Sequence, residues 1–176
     1  EVLADRWARW ESCSLCEQAY HGVVHCALGW ACWKTYVGRP EADKIRLAAI
    51  SEVGNGLSDA KHLEDALSVR EAELALKRRF ITSEAVILNV QGSLATTYSL
   101  LGRKEEASRM LRDVYAGRLK LSGEEHELTL RAAYSYAAFL HDLQRFKEAK
   151  ALMRRTLPVA RRVLGESNDT LKMRAM

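Results

Sequence analysis

Four cysteines are the first residues that could do chemistry, and all lie near one end: Cys13, Cys16, Cys26 and Cys32. Cys13-Ser-Leu-Cys16 has the spacing of half a zinc knuckle, where two thiolates on a tight turn converge on one ion. His21 and His25 stand nearby. A closed set of four ligands would have to draw on Cys13, Cys16, Cys32 and either His25 or Cys26. Cys26 and Cys32 fall in an apolar helical stretch, six residues apart. At about 100° per residue they point about 240° apart, onto different faces. One ion can hardly take both, so these two read as small buried apolar residues. No strand precedes Cys13, which argues against a thioredoxin-like redox pair. Thiols clustered at one end are not the spread of a disulfide framework. They fit a reducing compartment, and we expect a cytoplasmic chain.

Little else in the chain looks catalytic. Gly54-Asn55-Gly56 lies mid-helix with no strand before it, so it is not a phosphate loop. The glycine pair is expected to let two helices cross closely. His62, His126 and His141 lie on different elements, with His62 at a turn and His126 at a helix start, both expected exposed. Lys77-Arg78-Arg79, Arg154-Arg155 and Arg161-Arg162 complement helix C-terminal dipoles. Glu71, Glu73, Glu105 and Glu106 read as solvated faces. The net charge of +4 is small and scattered, which does not suggest nucleic acid. No window approaches the ~18 apolar residues of a membrane span. Charges at Glu1, Asp5, Arg6, Arg9 and Glu11 interrupt any signal peptide. We therefore expect no enzyme, no small-molecule substrate, no membrane, and no cofactor beyond a possible zinc. The chain does not begin with Met, so we expect a piece of something longer.

Along the 176 residues the spacing of apolar residues is helical throughout and nowhere alternates with period two, so no sheet is expected. Tyr20 to Tyr36 reads as a buried helix stopped by Val37-Gly38-Arg39-Pro40. Ile45, Leu47, Ala48, Ile50, Val53 and Leu57 mark the next, to about Ala60. Leu63, Ala66, Leu67, Val69, Ala72, Leu74 and Leu76 mark its partner, to about Phe80. Thr82 or Ser83 reads as an N-cap with Glu84 in the first turn. Ile87, Val90, Leu94, Ala95 and Tyr98 lie inward on a helix to about Leu101. Lys104–Leu121, Glu124–Leu143 and Phe146–Leu164 follow, stopped by Gly123 and Gly165. Pro158 lies inside the last, where a kink or break is expected. Turns of two to four residues make neighbours antiparallel. The corner Leu101-Gly102-Arg103, with Ala107 behind it, is echoed by Ala60-Lys61-His62 with Ala66 and by Leu143-Gln144-Arg145 with Ala149. The alanines recur after 41 and then 42 residues, the mark of a stacked repeat array.

These residues resemble tetratricopeptide repeats of the long, kinesin light chain-like type. The resemblance rests on Leu94-Ala95, Tyr98, Leu101-Gly102 and Ala107; on Tyr136-Ala137, Leu140, Leu143 and Ala149; and on Val53-Gly54, Leu57, Ala60 and Ala66. It also takes in Gly123-Glu124-Glu125-His126-Glu127-Leu128-Thr129, echoed at Gly165–Leu171. Glu127 departs from the usual Pro there, and Arg70 stands where the second helix usually buries a large apolar residue. The resemblance implies an all-α, right-handed α-solenoid of antiparallel helix pairs, with repeats at about 44–81, 84–122 and 125–165. A further helix would start over 169–176, truncated, with the array continuing. Residues 1–40 would be a Cys- and Trp-bearing helical segment, and 41–176 the array. Trp30, Trp33 and Tyr36 are expected to cap the first pair. Such an array implies a scaffold or adaptor with a protein or peptide partner in its concave groove. Carried over by position, that groove takes Ser51 and Asn55, then Asn89, Ser93 and Thr96, then Arg131, Tyr134, Ala138 and His141. Asn and Ser could hydrogen-bond a peptide backbone, Arg131 could pair with an acid, and Tyr134 offers flat contact area.

A second resemblance covers about a dozen residues. Trp10-Glu-Ser-Cys13-Ser-Leu-Cys16-Glu-Gln-Ala-Tyr20 is similar to the closing segment of a RING-CH zinc finger. It implies that Cys13 and Cys16 bind zinc only where an upstream finger supplies further ligands. The rival reading that follows is the substrate-recognition part of a ubiquitin ligase, decided by whether Cys and His ligands precede Glu1.

Overall fold

The structure is a computed structural model that describes residues 7–164. The described residues form seven helices: α1 Gly22–Tyr36, α2 Lys44–Asp59, α3 Leu63–Phe80, α4 Glu84–Leu100, α5 Lys104–Ser122, α6 Glu127–Asp142 and α7 Phe146–Leu164. Outside them stands one isolated antiparallel bridge, Ser12 with Ala19. The chain divides into two compact units, Glu1–Thr82 and Ser83–Met176. The expected helix at 169–176, its stop at Gly165 and the echo at Gly165–Leu171 lie outside the described residues.

In the first unit α1 packs on α2, and α2 on α3. Two glycines make the first contact possible. A Cβ on Gly29 would stand 2.5 Å from the Glu52 carbonyl oxygen, and one on Gly56 would stand 2.7 Å from Cys26 Cα. The α1 N-terminus is capped from a distance, by the Asp59 carboxylate accepting the Gly22 N–H, and His21 at the N-cap position makes no side-chain cap bond. Trp10, Cys32 and Ala49 form a buried cluster with Trp7, Leu28, Ala31, Trp33 and Tyr36 packed around it. Trp7 stacks on Tyr36 with centroids 5.9 Å apart. Trp30 departs from the expected cap. It is 42% exposed, because it stands about 200° around the helix from fully buried Cys32.

In the second unit α4 packs on α5, α5 on α6, and α6 on α7. Leu88, Val90, Leu94, Ala95 and Tyr98 of α4 are buried. So are Leu130, Ala133, Ala137, Phe139 and Leu140 of α6. Helix α6 starts three residues later than its apolar pattern suggested. His126 ends the preceding turn and caps the helix, its Nδ1 accepting the Leu128 N–H at 3.2 Å. Ser83 does occupy the α4 N-cap position, yet without a side-chain cap bond. The expected break at Pro158 is absent: α7 runs through it as one helix. Pro158 and Arg154 are both exposed, so water can take the Arg154 carbonyl that loses its donor.

The repeated corner has one geometry in all three pairs. Lys61, Gly102 and Gln144 each take positive φ, at 66°, 76° and 60°. The next residue donates back across the helix end, His62 to Leu57, Arg103 to Tyr98 and Arg145 to Leu140, at 2.9, 2.9 and 2.8 Å. This is a helix stop that leaves few carbonyls unpaired. Glycine suits it without strain only at 102. The alanines behind it, Ala66, Ala107 and Ala149, are all buried.

Candidate functional site

The polar residues of the first helices were expected to face a partner. In the first unit they face inward first. Helix α3 buries Ala66, Leu67, Arg70, Glu73, Leu74 and Lys77, so three charged residues lie in its apolar stripe, while Ala72 is exposed. Glu73 was read as solvated and is instead 2% exposed. Lys77 donates to Glu73 Oε1 at 2.7 Å and to Ser51 Oγ at 2.8 Å. The Ser51 hydroxyl donates in turn to Glu73. Arg70 donates to Asn55 Oδ1 at 3.0 Å and stands 3.8 Å from the other Glu73 oxygen. Buried charges are tolerated only with such partners. Ser51 and Asn55 are therefore ligands of buried side chains on α3, and only half-buried themselves.

The second unit repeats the device once. Arg118 of α5, 3% exposed, reaches under α4, donating to the Ala85 carbonyl at 3.0 Å and to Asn89 Oδ1. Thr129 of α6 donates to the Arg118 carbonyl at 3.1 Å. Asn89 and Thr96 are exposed and Ser93 is half-buried; the Thr96 hydroxyl donates to the Gly92 carbonyl of its own helix. On α6, Arg131, Ala138 and His141 are exposed and Tyr134 is half-buried. His141 packs edge-on against Phe146, with centroids 5.0 Å apart.

A cavity of about 500 Å³ opens in the first unit, lined in part by Tyr20, His25, Glu52, Asn55, Asp59 and Arg70. Glu52 is 7% exposed. Burial, with the Glu11 charge adding to it, raises its pKa, while His25 and hydrogen bonds from Trp7 and Asn55 work against the rise. A carboxyl whose folded pKa is raised favours the fold when protonated, and that contribution is lost as pH rises through the folded value. Glu52→Gln is thus expected to raise the melting temperature near neutral pH. The gain should vanish below the ordinary value of 4.5. An equal gain at both pH values in thermal melts would show that the charge is not what costs.

The thiols divide only in part as their spacing suggested. Cys32 is fully buried, and Cys26 is half-buried rather than buried. Burial pushes the Cys32 thiol up to about 12. The Cys13 sulfur accepts the backbone N–H groups of Cys16 and Leu15 and a hydrogen bond from the Cys16 thiol, which lowers its pKa. The turn is tied by Cys13 N–H to the Gln18 carbonyl and Glu17 N–H to the Cys13 carbonyl, at 2.9 and 2.8 Å. No group of three or more His, Cys, Asp or Glu side chains among the described residues could hold a metal ion. Two thiols are half of the four ligands that zinc normally takes. None of the described helices is long and apolar enough to cross a membrane.

Antiparallel helix pairs with one repeated corner and small residues at their crossings define a helical repeat protein. Residues 87–127 and 129–169 match the tetratricopeptide repeat family, and over these spans the chain is similar to that family. Its fold is shared with BtubC (BKLC) from P. vanneervenii, with a TM-score of 0.71 at 16% identity. That match covers 85% of this chain and 61% of BtubC, so the chain spans less than two thirds of that protein. The nearly identical TPR-like repeats of a Podosopora anserina putative kinesin light chain match with a TM-score of 0.66 at 22% identity. There 84% of this chain and 69% of the other are covered. A singly substituted form of the same repeats gives 0.67 at 22% identity, with the same coverage. No curated protein matches the chain.

Proposed function

We propose that the chain is a non-catalytic scaffold or adaptor that holds a protein or peptide segment against the first helices of its repeats. The carrying observation is the outward row of α4 and α6 in the second unit. Asn89, Thr96, Arg131, Ala138 and His141 stay exposed, while the opposite faces of both helices are buried. The row offers hydrogen-bond donors, a cation and the half-buried Tyr134 ring, a mixture suited to an extended polypeptide. Stacked repeats commonly use such extended surfaces for binding.

The test is recovery of partner proteins by the chain and by a variant with Asn89, Arg131 and Tyr134 replaced by Ala. Recovery should fall while the helical circular dichroism stays unchanged. Unaltered recovery would refute binding by this row. The four free thiols support the cytoplasm as the compartment.

A second reading is favoured by the Cys13 turn. Two backbone N–H groups directed at one sulfur stabilise a thiolate, the form that binds metal. We propose zinc at Cys13 and Cys16 only where two further ligands are supplied. The repeats would then choose the substrate of a ubiquitin ligase of the RING-CH type. Cys and His ligands at matching spacing before Glu1 would support this, and their absence would rule it out.

A further inference from the structure

The residue that follows the positive-φ turn of each corner is His62, Arg103 or Arg145, and three residues further on stands an acid, Asp65, Glu106 or Glu148. In the second and third pairs the arginine holds its acid. Arg103 donates through two nitrogens to Glu106 Oε1, at 3.1 and 3.0 Å. Arg145 donates to both oxygens of Glu148, each at 2.7 Å. Arg103 also lies over the Tyr98 ring, 4.6 Å from its centroid. One guanidinium there meets an aromatic face and a carboxylate at once. The first pair keeps the acid and lacks the arginine. His62 makes no side-chain cap bond. Asp65 is exposed and has no hydrogen bond or ion pair among the described residues.

An aromatic ring is present there too. A cavity of about 350 Å³ is lined by Cys26 and Trp30 of α1, Leu57 of α2, and His62, Asp65 and Val69 at the start of α3. Leu57 is buried, with half-buried Cys26 and Val69 packed in the same cluster, so part of the wall is apolar. Trp30 is the ring that stays outside the cap, 42% exposed. Arginines lie over Trp10, Trp33, Phe80 and Tyr98, at 4.5, 5.7, 4.8 and 4.6 Å. No cation among the described residues lies over Trp30 in this way. An uncovered indole face attracts a cation, and an apolar wall suits the methylene stem that carries one. An unpaired carboxylate beside them favours the planar fork of a guanidinium over the point charge of an ammonium.

We propose that this cavity takes an arginine side chain of a partner protein, its stem against Cys26, Leu57 and Val69 and its guanidinium between Trp30 and Asp65. The partner supplies from outside the arginine that the second and third pairs carry at their own corners. The surface belongs to α1 and α3 of the first unit, so the proposal goes beyond the row on α4 and α6 and does not depend on it.

The probe is N-acetyl-arginine N-methylamide, which presents arginine as it stands inside a chain. Its citrulline counterpart, alike in shape and uncharged, is the control. Each is titrated into the chain while the Trp30 indole N–H signal is followed by proton–nitrogen correlation NMR. The arginine compound should shift that signal saturably, and the citrulline compound should bind at least about tenfold more weakly. Asp65→Asn should weaken the arginine compound at least about tenfold. His62→Arg, which restores the corner arginine, should abolish its binding by pairing with Asp65 from within, while Trp30 and Asp65 are unaltered. The variant with Asn89, Arg131 and Tyr134 replaced by Ala should bind the compound as the parent chain does. Equal binding of the two compounds overturns the proposal, as does full arginine binding in folded D65N or H62R. Loss of binding in the folded triple variant overturns the placement at Trp30.

Discussion

Replacing Glu73 with alanine is expected to cost the first unit about 3–5 kcal/mol, the usual loss when a buried ion pair forfeits one member. Glu73 answers two buried cations, Lys77 at 2.7 Å and Arg70 at 3.8 Å, and both would be left in the interior without a carboxylate. The measurement is urea unfolding followed by tryptophan fluorescence. Trp7, Trp10, Trp30 and Trp33 all lie in the first unit, so the signal reports that unit alone. A loss below about 1 kcal/mol, the worth of an exposed ion pair, would mean that the charges are hydrated. Replacing Arg70, Glu73 and Lys77 together with Met, Leu and Met should cost far less, because apolar residues of similar volume often match a buried ionic cluster. The cluster is imperfect in any case: Arg70 Nε and Glu73 Oε2 are buried without hydrogen-bond partners.

Alanine at position 56 should behave opposite to its helix propensity. In an open helical site Gly→Ala gains about 0.5–1 kcal/mol. At Gly56 the new methyl would meet Cys26 Cα at 2.7 Å and the His25 carbonyl oxygen at 2.8 Å. Both are backbone of α1 and cannot swing aside, so α1 and α2 must separate, and overpacking of this kind costs about 1–3 kcal/mol. Gly92→Ala is the matched control. A Cβ there meets nothing within 4 Å, and the change should stabilise the second unit. Urea midpoints for the two variants should move in opposite directions. A Gly56→Ala midpoint at or above that of the parent chain would show that α1 does not rest on α2 as closely as described.

Much of this architecture was readable from the spacing of a few residues. A corner that recurs every 41 or 42 residues must turn the chain the same way each time, since the same backbone bonds close it. Glycines 54 and 56, two apart in a helix, signalled a close crossing, and Gly56 is where α1 comes near. Cys26 and Cys32 could be assigned to different faces by helical angle alone. The first errors came from the rule that charged residues face water. Glu73 and Lys77 stand with Arg70 on the inward face of α3 beside Ala66 and Leu74, and Ala72, counted with the apolar residues of that helix, is exposed. The odd residue Arg70 was visible as a departure. Its remedy was not, because the partners Asn55 and Ser51 lie 15 and 26 residues from the cations they accept.

The sequence by itself determined the helices, their antiparallel pairing and the period of the repeat. Those features depend on short-range backbone geometry and on which positions are small or apolar, and both are written locally. Only the tertiary structure decided which polar residues remain available to a partner. Ser51 and Asn55 are spent on buried cations, and Asn89 has its oxygen spent and its donors free. A side chain's role there depends on the charge that another helix places behind it. That distance is set by packing between helices and is not legible in the spacing of any one of them.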